Sequence, residues 1–204
     1  MHILRTADFT ALPWKNGLGV SSVIASHPKE AGYDKVDWQV GTTDIGSDCP
    51  FSSLAGMDRQ FTLLSGPGVE LTCIDILMGV NTRQAVDIPF RPFAFRGDAV
   101  TTCRLLGAPV KVFNVMTRRS HASASLRMPQ WTGALLCEQR AGEVVLAVVL
   151  AGRAAVGGTG APLAPFEAVQ LDAPAGERCE LVSHAGPARA AVVRLSGARS
   201  SGAR

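Results

Sequence analysis

The chain contains 204 residues, of which 47% are hydrophobic and 18% are charged, and its formal net charge at pH 7 is +3. This apolar content is enough to bury a sizeable core, which excludes an intrinsically disordered chain. Arg199 and Arg204 supply two of the three net charges, so the body lacks the basic surface expected of a nucleic-acid-binding protein. Because there is no apolar run of about 18 residues and no secretory signal pattern, we expect a cytoplasmic protein without a membrane segment.

Short stretches of alternating apolar and polar residues recur along the chain. In residues 36–43, Val36, Trp38 and Val40 fall on one face, and residues 109–116 alternate in the same way. Further valine- and leucine-rich runs follow at short intervals, separated by Gly, Pro, Asn or Asp, and no segment sustains a helical repeat. The pattern predicts an all-β protein.

The composition changes near residue 120, from a first part rich in aromatic residues and Asn to a remainder dominated by Ala, Gly, Val and Pro. We therefore predict a first lobe over residues 1–120 and a second β lobe over residues 121–195. The Gly- and Ser-rich residues 196–204 are expected to form a flexible tail.

The cysteines and histidines do not have the spacing of a metal site. Each cysteine is at least 24 residues from the next, and no two histidines are close together. We interpret the cysteines as small buried hydrophobic residues and expect neither a metal ion nor another cofactor. They are Cys49, Cys73, Cys103, Cys137 and Cys179.

A first candidate binding segment covers residues 13–19, in which Trp14, Lys15 and Asn16 precede two glycines. A glycine turn of this kind can leave backbone N–H groups free to bind an anion, with the lysine as a counter-charge. The alternative is a structural turn in which Trp14 packs on the core and Lys15 is solvated.

A second candidate is the adjacent pair Asp58 and Arg59, which precedes an apolar strand. Arginine is well shaped to hold a carboxylate through two parallel hydrogen bonds. The alternative is that Asp58 and Arg59 form a surface ion pair with each other, which contributes about 0–1 kcal/mol.

A third candidate lies on the strand predicted over residues 109–116, where Asn114 shares a face with Val110 and Val112. A side-chain amide on a buried face needs a hydrogen-bonding partner, and Arg118 follows nearby. Together they suggest the wall of a pocket. The alternative is an exposed strand end that carries solvated arginines.

In their order along the chain, these clusters resemble the HutD/Ves family, cupin-like proteins associated with histidine utilisation. The resemblance runs from about Pro13 to Arg119. It is carried by Trp14-Lys15-Asn16-Gly17, Phe51-Ser52, Gly56 to Arg59, Leu63-Leu64-Ser65-Gly66, Phe95 with Gly97-Asp98, and Asn114 with Met116 to Arg119.

The resemblance implies a cupin-like double-stranded β-helix fold, usually as a bicupin with two packed β-barrel lobes. It also implies binding of a histidine-pathway metabolite such as formylglutamate. Most cupins hold a metal through a histidine-rich motif that is missing here, which favours metal-independent binding. The sequence leaves a homodimer open.

The chain departs from the family pattern at three positions. Leu18 stands where a glycine is usual, Val23 where an acidic residue is common, and Val112 where an aspartate often precedes the Phe-Asn pair. Two expected carboxylates are thus replaced by valines. This change predicts either a different, more anionic ligand or a pocket that no longer functions.

Our leading hypothesis is a binding protein rather than an enzyme. Its expected ligand-binding residues are Trp14, Lys15, Asn16, Arg59, Asn114 and Arg118. One alternative is a metal-free isomerase or hydrolase of a histidine-pathway intermediate, with Asp58 or Asp98 as general base. Another is a regulatory protein that binds a partner and no ligand.

Overall fold

The computed structural model describes residues 1–197, which are built almost entirely from antiparallel strands and contain one short 3₁₀ helix, Thr6–Asp8. The chain divides into two compact units. One consists of Thr10–His121, which we call the N-terminal unit. The other, the C-terminal unit, combines Met1–Phe9 with the chain from Ala122 onward. The prediction of an all-β protein is confirmed.

The unit boundary falls close to the composition change near residue 120. The first nine residues, which the sequence analysis placed in the first lobe, group instead with the C-terminal unit. Their strand pairs with a strand near residue 170 rather than with the residues that follow it. Of the predicted tail, Ser196 is the last residue of the final strand, and residues 198–204 lie outside the described part of the chain.

The N-terminal unit contains two sheets. A six-stranded sheet has the order β2-β3-β4-β11-β6-β9, and a four-stranded sheet has the order β5-β10-β7-β8. The strands are β2 (Thr10–Pro13), β3 (Val20–His27), β4 (Trp38–Ile45), β5 (Cys49–Pro50), β6 (Met57–Ser65), β7 (Val69–Asp75), β8 (Val80–Val86), β9 (Phe93–Arg96), β10 (Val100–Leu105) and β11 (Val110–Arg118).

The C-terminal unit is one eight-stranded sheet in which β1-β17-β15-β18-β12 are neighbours, while β13 and β14 pair with β18 and β16 pairs with β15. The strands are β1 (His2–Leu4), β12 (Ser123–Arg127), β13 (Gln130–Trp131), β14 (Ala134–Gln139), β15 (Glu143–Val156), β16 (Pro162–Leu163), β17 (Ala168–Leu171) and β18 (Glu177–Ser196).

The two segments with the clearest alternation became β4 and β11, as predicted. Strand β11 is central in its sheet, because β4 pairs with one side of it and β6 with the other. Its residues from Val112 to Thr117 are all buried, which accounts for its nearly continuous apolar sequence. Among the described residues, no helix is long and apolar enough to cross a membrane.

The core of the N-terminal unit lies between its two sheets. Phe61 and Leu63 from β6 pack in one cluster with Leu71 from β7 and Cys103 from β10. A fully buried side chain of this kind contributes about 1.5–3 kcal/mol of transfer free energy. The aromatic residues Trp14, Phe51, Phe93 and Phe95 pack against this cluster and are only partly buried. This aromatic border is the setting of the candidate site.

Candidate functional site

A pocket opens at the aromatic border of the N-terminal unit. It encloses about 420 Å³ including its mouth, but the inner cavity that water can occupy is only about 30 Å³. That inner space is room for about two water molecules, so it suits one end of a small molecule. Its lining consists of Trp14, Ser21, Tyr33, Thr43, Ile45, Phe51, Ser52, Leu54, Arg59, Phe61, Asn114 and Met116.

Strand register brings the polar lining residues together. Asn114 on β11 is paired with Gly41 on β4 and with Phe61 on β6, and Met116 is paired with Gln39 and Arg59 on the same two strands. Directly paired residues point to the same face of a sheet, and so do residues two apart on one strand. Asn114, Gln39 and Arg59 therefore share the pocket face of the sheet.

Gly41 is required beside Asn114. A Cβ atom at position 41 would lie 2.5 Å from the backbone oxygen of Ser22, a separation that real side chains do not adopt. The glycine lets β3 approach β4 at a β-bulge between Val23 and Ala25. The sheet thereby curves at the position where the amide of Asn114 faces the pocket.

Arg59 is the cation of the pocket. Its guanidinium carbon lies 4.9 Å from the centre of the Phe51 ring and 5.0 Å from that of Phe95. Burial lowers its pKa from 12.5 to about 10, against the opposing influence of Tyr33 and Cys73. Arg59 consequently remains charged at neutral pH. Within residues 1–197 it forms no ion pair, and its buried Nε has no hydrogen-bond partner.

The oxygen atoms of two buried side-chain amides on the same face also lack partners among the described residues. The Oδ1 atom of Asn114 and the Oε1 atom of Gln39 are shielded from solvent and accept no hydrogen bond from the described residues. Only 9% of Asn114 and 1% of Gln39 are exposed. An unpaired buried polar group costs about 1–3 kcal/mol, so a ligand that hydrogen-bonds to Asn114, which lines the pocket, would recover part of that cost.

Trp14 forms one wall and is fixed from two sides. Its Nε1 donates to Ser21 Oγ at 3.1 Å, and Ser21 Oγ lies 2.9 Å from Thr43 Oγ1. Gly19 packs against the indole, since a Cβ atom at that position would lie 2.8 Å from the ring. The glycine turn therefore positions the tryptophan.

Three backbone N–H groups of the same turn are not free to bind an anion, contrary to the expectation from the sequence. The N–H of Gly17 donates to the Trp14 carbonyl at 2.9 Å, and the N–H of Leu18 donates to Asn16 Oδ1 at 3.1 Å. The N–H of Asn16 donates to Ser52 Oγ at 3.3 Å. These donors are used within the protein.

The structure brings three of the six expected binding residues into the lining, namely Trp14, Arg59 and Asn114. Lys15 lies outside it and pairs with Asp34 at 2.8 Å on the exposed surface, where the lysine lowers the pKa of Asp34. The side chain of Asn16 also lies outside the lining, and its Nδ2 donates to the carbonyl of Pro50 at 2.8 Å.

Arg118, the remaining expected residue, lies outside the lining and binds the backbone of a segment that contributes Tyr33 to the pocket. Its Nη2 donates to the carbonyl of Tyr33 at 3.0 Å and its Nε to that of Val36 at 3.1 Å. These bonds hold the segment that brings Tyr33 to the lining. Burial raises the pKa of Tyr33, while the hydroxyl of Ser21 and the charge of Arg59 act in the opposite direction. Its phenol is therefore protonated at neutral pH.

Asp58 and Asp98 are both held by Arg119 and do not line the pocket. Arg119 Nη1 contacts Asp58 Oδ1 at 2.8 Å, and Arg119 Nη2 contacts Asp98 Oδ2. The alternative interpretation, an ion pair between Asp58 and Arg59, is thus wrong, since neighbouring residues on β6 point to opposite faces. Asp98 Oδ1 also accepts the N–H of Gly56 at 2.9 Å.

Sequence reasoning missed Tyr33, Gln39, Ser21 and Thr43 as neighbours of the site. The sequence held no such signal for Gln39, because in the alternation of residues 36–43 it falls on the face opposite Val36, Trp38 and Val40, where a polar residue is ordinary. Tyr33 lies in a segment without strand alternation, and its backbone carbonyl is held by Arg118.

The fold is shared with distantly related proteins of known structure. Oxalate decarboxylase from Lactobacillus farciminis superimposes with a TM-score of 0.69 over 97% of this chain and 87% of its own, at 7% identity. At that identity the likeness shows the fold alone. The protein is therefore a cupin-like β protein, and its N-terminal unit carries a small pocket with an unpaired cation.

The HutD family model matches residues 6–188, and the chain belongs to the HutD family. HutD from Pseudomonas fluorescens SBW25, described in a formate condition, is 27% identical over 96% of this chain and 97% of its own, with a TM-score of 0.75. A conserved protein of unknown function from Pseudomonas aeruginosa PAO1 is also 27% identical, over 96% and 98%, with a TM-score of 0.79.

Two curated relatives agree with this assignment. An uncharacterised 21.2 kDa protein in the hutC 3′ region of Pseudomonas putida is 34% identical over 64% of this chain, and Protein Ves from Cronobacter sakazakii is 28% identical over 58%. The chain spans 64% and 61% of the lengths of these relatives, less than two thirds of each. The first relative links the family to a histidine-utilisation locus.

Many cupins hold a metal ion, but the residues of this pocket do not fit one. The lining contains no His, Cys, Asp or Glu, and its charged member is the cation Arg59. In the part of the chain that the structure describes, no three such side chains cluster as a metal site. A cation would meet repulsion from Arg59 and few ligands of the type that it prefers.

Proposed function

We propose that this protein binds a small carboxylate metabolite in the pocket of its N-terminal unit, without a metal ion. The observation that carries the proposal is the guanidinium of Arg59, which is charged, lies against two aromatic rings and has no acidic partner among the described residues. Arg59 is partly buried, a partly desolvated charge without an acidic partner is unfavourable, and a bound carboxylate would supply that partner through charge-assisted hydrogen bonds.

The neutral residues of the lining restrict the expected class of ligand further. The amide of Asn114, which lines the pocket, can bond a second polar group on the same molecule, such as the N–H or C=O of a formamide. Trp14 and Phe51 provide apolar walls. A carboxylate and an amide joined by a short carbon chain describe an N-formyl amino acid, and formylglutamate is the member of this class that we expect.

The two valines that depart from the family pattern support an anionic ligand. Val23 is paired with Gly41, and Val112 is paired with Thr43, so both positions lie on the pocket face of the sheet. Carboxylates at these positions would partly neutralise Arg59, and valines do not. The positive charge of the pocket is therefore available to the ligand.

The histidine-utilisation link and the size of the pocket support the same ligand class. The relative in the hutC 3′ region suggests a histidine-pathway intermediate, and the formate condition described for Pseudomonas fluorescens HutD suggests the smallest carboxylate. Because the inner space accepts only about two waters, the remainder of a longer ligand would lie toward the mouth.

The direct test is thermal unfolding with formylglutamate, formate, glutamate, urocanate, formiminoglutamate and histidine. A ligand at 100 times its dissociation constant adds about 2.7 kcal/mol and raises the melting temperature by roughly 5–11 °C for a chain of this length. We expect the largest shift with formylglutamate and an unchanged shift in the presence of a metal chelator. Loss of the shift on chelation would contradict metal-independent binding.

The matched variants are Arg59→Met and Arg104→Met. The first removes the charge in the pocket while keeping most of the volume, and the second removes an arginine that pairs with Glu70 on the surface. Calorimetric titration should show a loss of affinity of about 10- to 100-fold for Arg59→Met, the range of a charge-assisted hydrogen bond, and none for Arg104→Met. Equal affinities in both variants would refute the proposal.

A further inference from the structure

Four of the five cysteines, all within the described residues, are paired directly with another cysteine on a neighbouring strand. Cys49 on β5 is paired with Cys103 on β10, and Cys137 on β14 is paired with Cys179 on β18. Cysteine is rare in this chain, at 5 residues of 204, so two such pairings are unexpected for residues that only fill the core. We call Cys49 and Cys103 the wall pair, and Cys137 and Cys179 the core pair.

The spacing of paired strands suits a disulfide. Residues directly opposite in an antiparallel pair have Cα atoms about 4.5 or 5.5 Å apart. Disulfides in proteins usually join Cα atoms about 4.4–6.8 Å apart. The two thiols of the wall pair also interact with each other. A bond between them therefore needs rotation of side chains and little movement of the backbone.

The wall pair is the one that a reagent in solution can reach. Cys49 is half-buried, whereas Cys103 is only 3% exposed. Both members of the core pair are buried, with 2% of Cys137 and 8% of Cys179 exposed. Cys49 can thus react with a reagent that approaches from solvent, and Cys103 can then complete the exchange.

We propose that Cys49 and Cys103 form a reversible disulfide with a low-molecular-weight disulfide, such as oxidised glutathione, as the oxidant. The Cys49 thiolate attacks one sulfur of glutathione disulfide, forms a mixed disulfide and releases one glutathione thiolate. The Cys103 thiolate then attacks the Cys49 sulfur and releases the second glutathione. The two protein thiols lose two protons and two electrons, and glutathione disulfide gains both to give two glutathione thiols.

The reaction is expected to be slow. Burial raises the pKa of the Cys49 thiol and raises that of Cys103 to about 12, and the nearby carboxylate of Asp48 adds to both effects. Few thiolates are therefore present at neutral pH, and the thiolate is the attacking form. The wall pair is suited to follow a sustained change in the thiol-disulfide balance rather than a brief pulse of oxidant.

A disulfide here would act on a wall of the pocket, a consequence that rests on the proposed function. Strand β5 has only two residues, and the next two residues, Phe51 and Ser52, line the pocket. The N–H of Phe51 donates to the Thr101 carbonyl at 2.8 Å. A covalent link between Cys49 and β10 would fix Phe51, whose ring contacts Arg59.

The test incubates the folded, fully reduced chain with glutathione disulfide and maps cross-linked peptides by mass spectrometry without reduction. We expect a Cys49–Cys103 peptide that dithiothreitol reverses, that is lost in Cys49→Ser and that is retained in Cys73→Ser. The oxidised protein should melt about 5–10 °C higher, because the link closes a loop of more than 50 residues. Oxidation of the core pair should be slower than that of the wall pair, because both of its cysteines are buried.

Two results would overturn the disulfide. One is the absence of a Cys49–Cys103 peptide from the folded protein while the same reagent oxidises the chain in denaturant. The other is a link from Cys49 to Cys73, which would show that strand register does not select the partner. Either result rejects the inference, because the reagent and the detection are then known to work.

A second arm measures formylglutamate affinity in the oxidised and reduced forms, with Cys49→Ser as a control that glutathione disulfide should not change. We expect at least a twofold difference between the two forms of the unmodified chain. If the disulfide forms and neither form binds formylglutamate, the proposed function fails and the disulfide stands. If both forms bind with equal affinity, the wall pair does not regulate the pocket.

Discussion

The interiors of the two units differ in kind although both are built from antiparallel strands. Of the ten buried polar or charged side chains within residues 1–197, nine lie in the N-terminal unit, and Gln139 is the one in the C-terminal unit. The main core of the C-terminal unit consists of Val, Ala and Leu with one tryptophan and the core pair of cysteines.

The buried amide groups of the two units are also used differently. In the C-terminal unit, Gln139 Nε2 donates to three backbone carbonyls, those of Arg140, Glu143 and Ala173, at 2.7, 2.8 and 3.1 Å. It thereby joins the turn after β14 to the segment that precedes β18. The side-chain oxygens of Gln139 and Asn114 both lack a hydrogen-bond partner among the described residues, but only Asn114 lines the pocket of the N-terminal unit. One amide stabilises the fold, and the other is available to a ligand.

Unpaired polar groups lower the stability of the N-terminal unit, and under the proposed function the same groups contact the ligand. A sequence optimised for stability alone would place apolar residues at positions 59 and 114. If this comparison is correct, changes in the C-terminal core should alter stability without altering ligand affinity, whereas changes on the pocket face should separate the two quantities.

The largest expected effect is that of Leu181→Ala in the C-terminal core. Leu181 is fully buried, so truncation leaves a cavity and should lower the free energy of unfolding by about 2–5 kcal/mol. Urea denaturation gives this value, and calorimetry of the folded variant should give an unchanged affinity for formylglutamate. A large loss of affinity would contradict the proposal that the C-terminal core serves stability and not ligand binding.

A smaller loss is expected for Asp98→Asn, which removes a structural charge of the N-terminal unit. Burial opposes ionisation of Asp98, but the Gly56 N–H, Arg119 and Arg96 outweigh it, so the pKa of the carboxyl is lower than its usual value. A charge-assisted contact of this kind contributes about 1.5–3 kcal/mol at pH 7.

The pH dependence follows from the direction of that shift. Because the pKa is lower in the folded than in the unfolded chain, the stabilisation is complete above about pH 4 and is lost as the pH falls through the folded value. The difference in unfolding free energy between Asp98→Asn and the unmodified chain should therefore shrink between about pH 4 and pH 2. A constant difference over that range would contradict the ionic role.

Asn114→Leu should change the free energy of unfolding by a smaller amount and in the opposite direction. The leucine replaces a buried amide whose oxygen is unpaired, so the unfolding free energy should rise by about 0–1 kcal/mol while affinity for formylglutamate falls. Urea denaturation and calorimetry on the same preparation measure both quantities. Reduced stability together with unchanged affinity would indicate that Asn114 serves the fold.

The smallest effect is expected for Glu143→Gln, which breaks an ion pair of the C-terminal unit. Arg194 Nη1 lies 3.1 Å from Glu143 Oε2, and both side chains are partly exposed. The loss should be about 0.5 kcal/mol or less and should decrease with added salt. A loss equal to that of Asp98→Asn would show that the two ion pairs are equivalent.

Some of the site was predictable from local signals and some was not. Trp14, Arg59 and Asn114 stood out because each is a residue with distinctive chemistry within or beside a predicted strand. Lys15 and Asn16 carried the same kind of signal, but their contacts with Asp34 and Pro50 join segments distant in sequence. No local pattern specifies such partners.

The cysteines show the same limit more sharply. Their wide spacing in the sequence favoured the interpretation of small buried hydrophobic residues, and four of the five are buried. The pairing of Cys49 with Cys103 depends on which strands are neighbours and on their register. A shift of register by one residue would move the two thiols to opposite faces, so composition cannot reveal the pair.

The all-β class, the two clearest strands and the membership of the HutD family follow from the sequence, because alternation and ordered motifs are local properties of the chain. The tertiary structure was needed to show that Arg59 has no acidic partner among the described residues, that Asp58 pairs with Arg119 and that Gln39 shares a face of the sheet with Asn114. The physical reason is that pairing, burial and charge neutralisation depend on which distant strands become neighbours, and a linear pattern does not record that choice.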